Sequence, residues 1–146
     1  LITVIFLILI SLPVISQNND AEIEAIKNVI QTAYVEGLQN EADIDKIDKG
    51  FHPDFNLLGI EEGNKMWKLS IEDWKKRVLK GKEEGKYPKA DDKKVSIKFL
   101  FVDVTGNAAV AKFEFYVGDE LKYIDYQSLY KFEDGWKIVV KTFHKM

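Results

Sequence analysis

A chain of 146 residues with a net charge of -3 and no cysteine has room for one domain, and its stability must come from packing, since no disulfide can form. Its 21 Lys and Arg are offset by 24 Asp and Glu, and the densest basic run, Lys75, Lys76, Arg77, Lys80 and Lys82, is bracketed by Glu72, Asp73, Glu83 and Glu84. That is the pattern of a solvated helix face. It argues against nucleic acid or an anionic membrane as partner, because both need clustered, uncompensated cations.

Residues Leu1 to Ile15 read LITVIFLILISLPVI, an uncharged apolar run. It is shorter than the roughly 20 residues of a membrane-spanning helix and has the character of the apolar core of a secretory signal peptide. Val14 and Ser16 suit the positions a signal peptidase inspects, which divides the chain into a leader, 1–16, and a single domain, 17–146. The expected destination is periplasmic or extracellular, with no stable membrane anchor after cleavage; a retained anchor is the alternative. The missing basic start and initial Met imply that residues precede Leu1.

From Asn19 to Leu38, Ile23, Ile26, Ile30, Ala33, Tyr34 and Leu38 recur at helical spacing, with Asn19 as cap and Glu22 as its capping-box partner. A second, shorter helix is expected after Asp43–Asp45, carrying Ile44, Ile47 and Phe51 inward until Pro53 stops it. Asp43, Asp45 and Asp48 resemble a fragment of a calcium loop, but Lys46 and Lys49 intrude, and acids at a helix N-terminus explain them better. Phe55 to Ile60 reads as a strand that the EEGN turn folds back onto Met66 to Leu69. Ser70 then caps a third helix, with Asp73 three residues on, Ile71, Trp74, Val78 and Leu79 as its buried stripe, and Gly81 at its end. Lys82 to Lys94 is a polar loop.

Beyond it the period becomes alternating. Turn signals at Thr105-Gly106-Asn107, Gly118-Asp119-Glu120 and Glu133-Asp134-Gly135 cut out four strands, Val95 to Val104, Ala108 to Val117, Leu121 to Phe132 and Trp136 to Lys145. Tight turns between neighbours make an antiparallel meander, and accumulated twist makes so long a sheet curl around the helices. The fold class expected is therefore α+β, with three N-terminal helices on the concave face of a strongly curved antiparallel sheet. In the second of these strands Val110 and Tyr116 lie on one face and Phe113, Phe115 and Val117 on the other, so a homodimer through the outer sheet face is expected.

This order of elements, with FHPDF at Phe51 to Phe55 and the ending DGWKIVVKTFHK from Asp134 to Lys145, resembles the nuclear-transport-factor-two-like superfamily of cystatin-like cone folds, and within it the bacterial putative lumazine-binding family. The resemblance implies a cone whose open end holds a small molecule in some members. The ketosteroid-isomerase-like branch needs a carboxylate base, an oxyanion Tyr and a protonated acidic donor. YVEGLQN carries Tyr34 onto the oxyanion position. The same alignment puts Gly59 where the base should stand and Ser128 where the donor should stand, so no catalytic residue is assigned.

The pocket candidates are Tyr34, Phe51, Trp67, Tyr126, Ser128, Tyr130, Lys141 and Phe143. By the resemblance, Tyr126, Ser128 and Tyr130 share the inward face of their strand, with Lys141 and Phe143 beside them; Trp67, beside Met66 in the short hairpin, is expected at the mouth of the cup. A lysine inside an apolar cup must pair with an acid or await an anion; at a wet edge it needs neither. Asp125 and Asp54 read as structural carboxylates. His52 and His144, the two histidines, lie too far apart in the chain to suggest a metal, and no cofactor is called for. The leading reading is an exported, non-catalytic binding protein for a small apolar or anionic ligand. The alternatives are a cyclase- or isomerase-type enzyme with an unrecognised base such as Asp125, and a homodimeric interaction module whose cup is filled by its own side chains.

Overall fold

The computed structural model describes residues 15–146; nearly all of the predicted leader lies outside the described residues. Helix α1 (Ile15–Val29) runs without a break into a π-helical segment, Ile30–Glu41. Then follow α2 (Ile44–Gly50), β1 (Phe51–Ile60), β2 (Met66–Ser70), α3 (Ile71–Glu83) and the strands β3 (Val95–Thr105), β4 (Ala108–Val117), β5 (Glu120–Phe132) and β6 (Gly135–Lys145).

The strands form one sheet in the order β2-β1-β6-β5-β4-β3. The four-strand meander is antiparallel throughout, as its turns require. The sheet as a whole is mixed, which corrects the expectation of an antiparallel one: β1 pairs antiparallel with β2 but parallel with β6. The reason is the route of the chain. Leaving α2, the β1–β2 hairpin covers the edge of β6, which would otherwise present unpaired backbone groups. Register shifts interrupt the β1–β6, β3–β4, β4–β5 and β5–β6 ladders, and such bulges bend a strand and increase its twist.

The helices pack on one face of this curved sheet, the first against β3 and β6, α2 against β1 and β6, and α3 against β1 and β2. Ile26, Ile30, Tyr34 and Leu38 meet Phe55, Phe113, Leu129 and Ile138 in the core. The π-helical segment buries Ala33, Tyr34, Val35, Gly37 and Leu38, more than one stripe, because α2 packs against it as well as the sheet. Its end is tied down by Asn40, whose side-chain amide exchanges two hydrogen bonds with the backbone of Val95, at 2.9 and 2.8 Å.

Several local expectations hold and several need correction. Asp43 caps α2 by accepting from the Lys46 amide, and Ser70 caps α3 by accepting from the Asp73 amide at 3.1 Å. Asn19 lies inside α1 rather than at its cap. Glu22 binds Lys131 and accepts from Trp136 Nε1 at 2.6 Å, fastening α1 to the β5–β6 hairpin. Phe51 opens β1 instead of closing α2, and Pro53, which has no amide hydrogen, falls where the β1–β6 register breaks. Leu79 is exposed and α3 continues past Gly81 to Glu83.

Gly50 marks the closest approach of α2 to the first helix: a Cβ there would stand 2.2 Å from the Ala33 Cβ and 3.2 Å from a Val29 methyl. The Ala33 Cβ is fixed to the backbone and cannot swing aside. Gly50→Ala is therefore expected to cost about 1–3 kcal/mol, as overpacking does, measured by urea unfolding; an unchanged midpoint would show that this contact is not tight.

Candidate functional site

A cavity of about 360 Å³ opens between the π-helical segment, α3, the β1–β2 hairpin and the sheet. Its walls are apolar: Leu57 on β1, Trp67 on β2, Trp74 on α3, Phe115 on β4, Tyr123 on β5 and Phe143 on β6. Tyr34, Gln39 and Lys141 bring polar atoms to it. An apolar cleft with a few convergent polar groups is the usual form of a small-molecule site.

The floor is a buried polar cluster built from three distant parts of the chain. Asp125 on β5 is fully buried behind the cavity lining. Tyr34 donates its hydroxyl to Asp125 Oδ2 at 2.8 Å. Lys141 Nζ stands 2.9 Å from Asp125 Oδ1, a buried ion pair. Lys141, 5 % exposed, also lies over aromatic faces, with Nζ 4.9 Å from the Phe143 ring centroid and 5.4 Å from that of Tyr34.

Burial pushes the Asp125 carboxyl above the ordinary carboxylate range, with the Lys141 charge and the Lys141 and Tyr34 hydrogen-bond donors opposing it. Burial likewise pushes the Lys141 ammonium down, against the pull of Asp125. The Tyr34 hydroxyl is raised well above the usual phenol range, first by burial and then by the Asp125 charge. Asp125 and Lys141 are thus driven toward their neutral forms by desolvation and held charged by each other, while Tyr34 stays a neutral donor.

Trp67 owes its position to Gly59, its cross-strand partner. A Cβ on Gly59 would meet the Trp67 indole at 2.2 Å, so the ring fills the space over that glycine. The point where the isomerase-like comparison sought a carboxylate base is occupied by an indole.

Of the eight predicted pocket residues, Tyr34, Trp67, Lys141 and Phe143 come together around this cavity. Phe51 is buried beneath it, edge-on to Phe55 at 4.8 Å and to Tyr34 at 6.5 Å. Tyr126, Ser128 and Tyr130 lie on the outer face, which corrects the inward placement expected for them. Tyr126 and Tyr130 are exposed, and Ser128 and Tyr130 edge a shallow groove with Asp103 and Val110.

The physical reason is one bulge. A regular hairpin through Gly118-Asp119 would set Phe115 opposite Lys122 and turn the even-numbered residues of β5 inward. Instead Phe115 pairs with Tyr123 while Tyr116 pairs with Leu121, so Lys122 is the extra residue and Tyr123, Asp125, Gln127 and Leu129 share the inner face with Phe113 and Phe115. Asp125, read from the sequence as a structural carboxylate or an unrecognised base, is the site residue missing from the pocket candidates. Gln127, cross-strand from Lys141, is also fully buried, and neither end of its amide has a partner among the described residues.

Two comparisons, with solved structures and with family models, agree with this architecture. The fold and its cavity define an NTF2-like α+β cone of the cystatin-like type. An NTF2-like protein of unknown function from Silicibacter pomeroyi superposes with a TM-score of 0.69 at 18% identity, covering 87% of this chain and 98% of that one. Another, from Shewanella baltica, gives 0.65 at 22% identity over 87% and 95%. The CaMKII hub of S. rosetta gives 0.57 at 17% identity over 88% and 96%. The chain belongs to the putative lumazine-binding family, whose model matches residues 21–144. A search among curated proteins finds no match.

The floor yields a quantitative expectation. Lys141→Met leaves a buried, unpaired carboxylate and should cost about 3–5 kcal/mol, whereas Lys141→Met combined with Asp125→Leu should recover most of that loss. In Lys141→Met the Asp125 carboxyl keeps its burial and loses its cation. The folded state then binds the proton more tightly than the unfolded chain, so stability falls as pH rises through the raised folded value and is regained on acidification from about pH 7 toward about pH 5. Urea unfolding of the unaltered protein, Lys141→Met, Asp125→Leu and the double variant over that range checks both points; additive losses or a pH-independent deficit would contradict the pairing.

Proposed function

We propose that this protein is an exported binding protein that holds a small planar molecule, aromatic or heteroaromatic with at least one carbonyl or ring-nitrogen acceptor, in the cavity above Tyr34, Asp125 and Lys141. The observation that carries the reading is the combination of aromatic walls with a buried ammonium that still has donors to offer. Asp125 engages one side of Lys141, and no other hydrogen-bond acceptor among the described residues takes the rest. An acceptor on a ligand would satisfy them, while Trp67, Trp74 and Phe143 cover its faces. Lumazine, in the family's description, is a planar pteridine-dione and has this character. A fully anionic ligand fits less well, since Asp125 already neutralises Lys141. The apolar leader at Leu1 to Ile15 supports export.

A binding role accounts for the site without a base. One observation favours the enzymatic reading in a modified form: Asp125 is on the inner face, one side chain away from the cavity, and is bonded to two groups that line it. Such a chain could pass a proton to a bound carbonyl through Tyr34 or Lys141. Outside the cup, Phe101 and Tyr130, 48 % and 49 % exposed, stand on a sheet face whose partner is proposed to be a second copy of this chain.

Lumazine added to the purified protein should quench emission from Trp67 and Trp74 and raise the melting temperature, by the equivalent of about 2.7 kcal/mol at a hundredfold excess over Kd. Trp67→Ala should weaken binding at least about tenfold through lost ring coverage. Quenching that survives the substitution unchanged, or no response to any of a series of planar carbonyl compounds, would overturn the reading. For the outer face, light scattering should give twice the monomer mass, reverting on Tyr130→Glu; a monomer at every concentration would remove the dimer.

A further inference from the structure

Charge pairing does not exhaust what Lys141 offers. Most described lysines with carboxylate partners sit at the surface, and the nearest to burial, Lys137, still has 12% of its side chain exposed and bonds Asp134 and the Lys49 carbonyl. Lys141 has 6% exposed, touches one acid, and otherwise faces rings: Phe143, Tyr34, Phe115 and Tyr123 all lie within 6.0 Å of its nitrogen. The nitrogen is screened from bulk water and borders the cavity. A lysine that serves only as a counter-ion for Asp125 has no need of that position.

We infer that Lys141 is a nucleophilic amine that condenses reversibly with a small aromatic or apolar aldehyde or ketone entering the cavity, with Asp125 as its proton partner. The inference rests on the cavity being the ligand site, as proposed above, and adds to it a covalent bond to the ligand.

The step balances within the site. The Lys141 ammonium passes one proton to the Asp125 carboxylate, 2.9 Å away, leaving a neutral amine and a carboxylic acid. The nitrogen lone pair attacks the carbonyl carbon, and the C=O π pair moves to oxygen. That oxygen receives a proton from nitrogen and a second from Asp125, and leaves as water as the C–N double bond forms. The products are one protonated imine on Lys141, one water and the Asp125 carboxylate, which again faces a cation. No oxidant or other reactant is required.

Two further features support the step. Burial raises the Asp125 carboxyl and lowers the Lys141 ammonium, which brings their proton affinities together and eases the first transfer. Tyr34, 2.8 Å from Asp125 Oδ2 and itself on the cavity wall, extends the proton path toward the carbonyl oxygen. The aromatic walls then favour a carbonyl compound whose body is apolar.

The test uses 2-naphthaldehyde at substoichiometric concentration with sodium cyanoborohydride, which reduces the imine to a stable amine, followed by peptide mapping on a mass spectrometer. The expected result is one dominant adduct on Lys141, formed roughly tenfold faster than on any other lysine. 2-Naphthalenemethanol, which fits the same cavity and forms no imine, should protect that position. Lys141→Arg keeps a cation beside Asp125 and should abolish the dominant adduct, and Asp125→Asn should slow it. If either variant fails to fold, the site mapping and the protection measurement on the unaltered protein decide the matter. Labelling scattered over surface lysines, or a Lys141 that stays unmodified, overturns the inference. If in that event the naphthalenemethanol still quenches Trp67 and Trp74, the cavity binds ligands and only the covalent step is lost; if it does not, both fail.

Discussion

Inside this cone, one carboxylate is held away from water by the two residues that need it most. Asp125 is fully buried and would be driven to protonate were it not for the Lys141 ammonium at 2.9 Å and the Tyr34 hydroxyl at 2.8 Å. Neither partner could be buried comfortably without Asp125. The cluster joins the first helix, β5 and β6, so it fixes the helix against the sheet at the point where the two diverge to leave a cavity. Apolar residues of similar volume could fill that space at no loss of stability. The retention of a charged floor beneath aromatic walls is therefore better explained by what the cavity holds than by what the fold requires.

The surrounding structure serves the same end. Bulges interrupt the meander's ladders, and the β1–β2 hairpin, joined to β6 by a parallel seam, adds the wall that carries Trp67. Gly59 leaves room for that indole, and Trp74 comes in from α3. The π-helical stretch carries Tyr34 and Gln39 at the point of contact, and such segments recur at functional sites because their wider turns redirect side chains.

Much of this was legible in the chain. Turn chemistry at Gly106, Gly118 and Gly135 marks the meander, Ser70 and Asp73 mark the start of α3, and helical spacing places Tyr34 in the core. Tyr34, Lys141 and Phe143 follow from periodicity and resemblance together. What escaped was set by single-residue geometry. The inserted Lys122 reverses the faces of β5, sending Tyr126, Ser128 and Tyr130 outward and Asp125 inward, and alternation alone carries no mark of such a bulge. The parallel β1–β6 seam is a pairing of the chain's middle with its end, for which local pattern holds no signal. The partnership of residues 34, 125 and 141 is likewise visible only in three dimensions.

The account stands on Lys141 being a dry, paired ammonium at the edge of a cavity that admits ligand. Nitrogen-15 NMR of the lysine side chains examines that group itself. The account predicts one Nζ resonance set apart from the rest, with protons that exchange slowly with water, and a shift of that resonance when a planar carbonyl compound is added. A Lys141 signal that exchanges as fast as the surface lysines and ignores every such compound would contradict it.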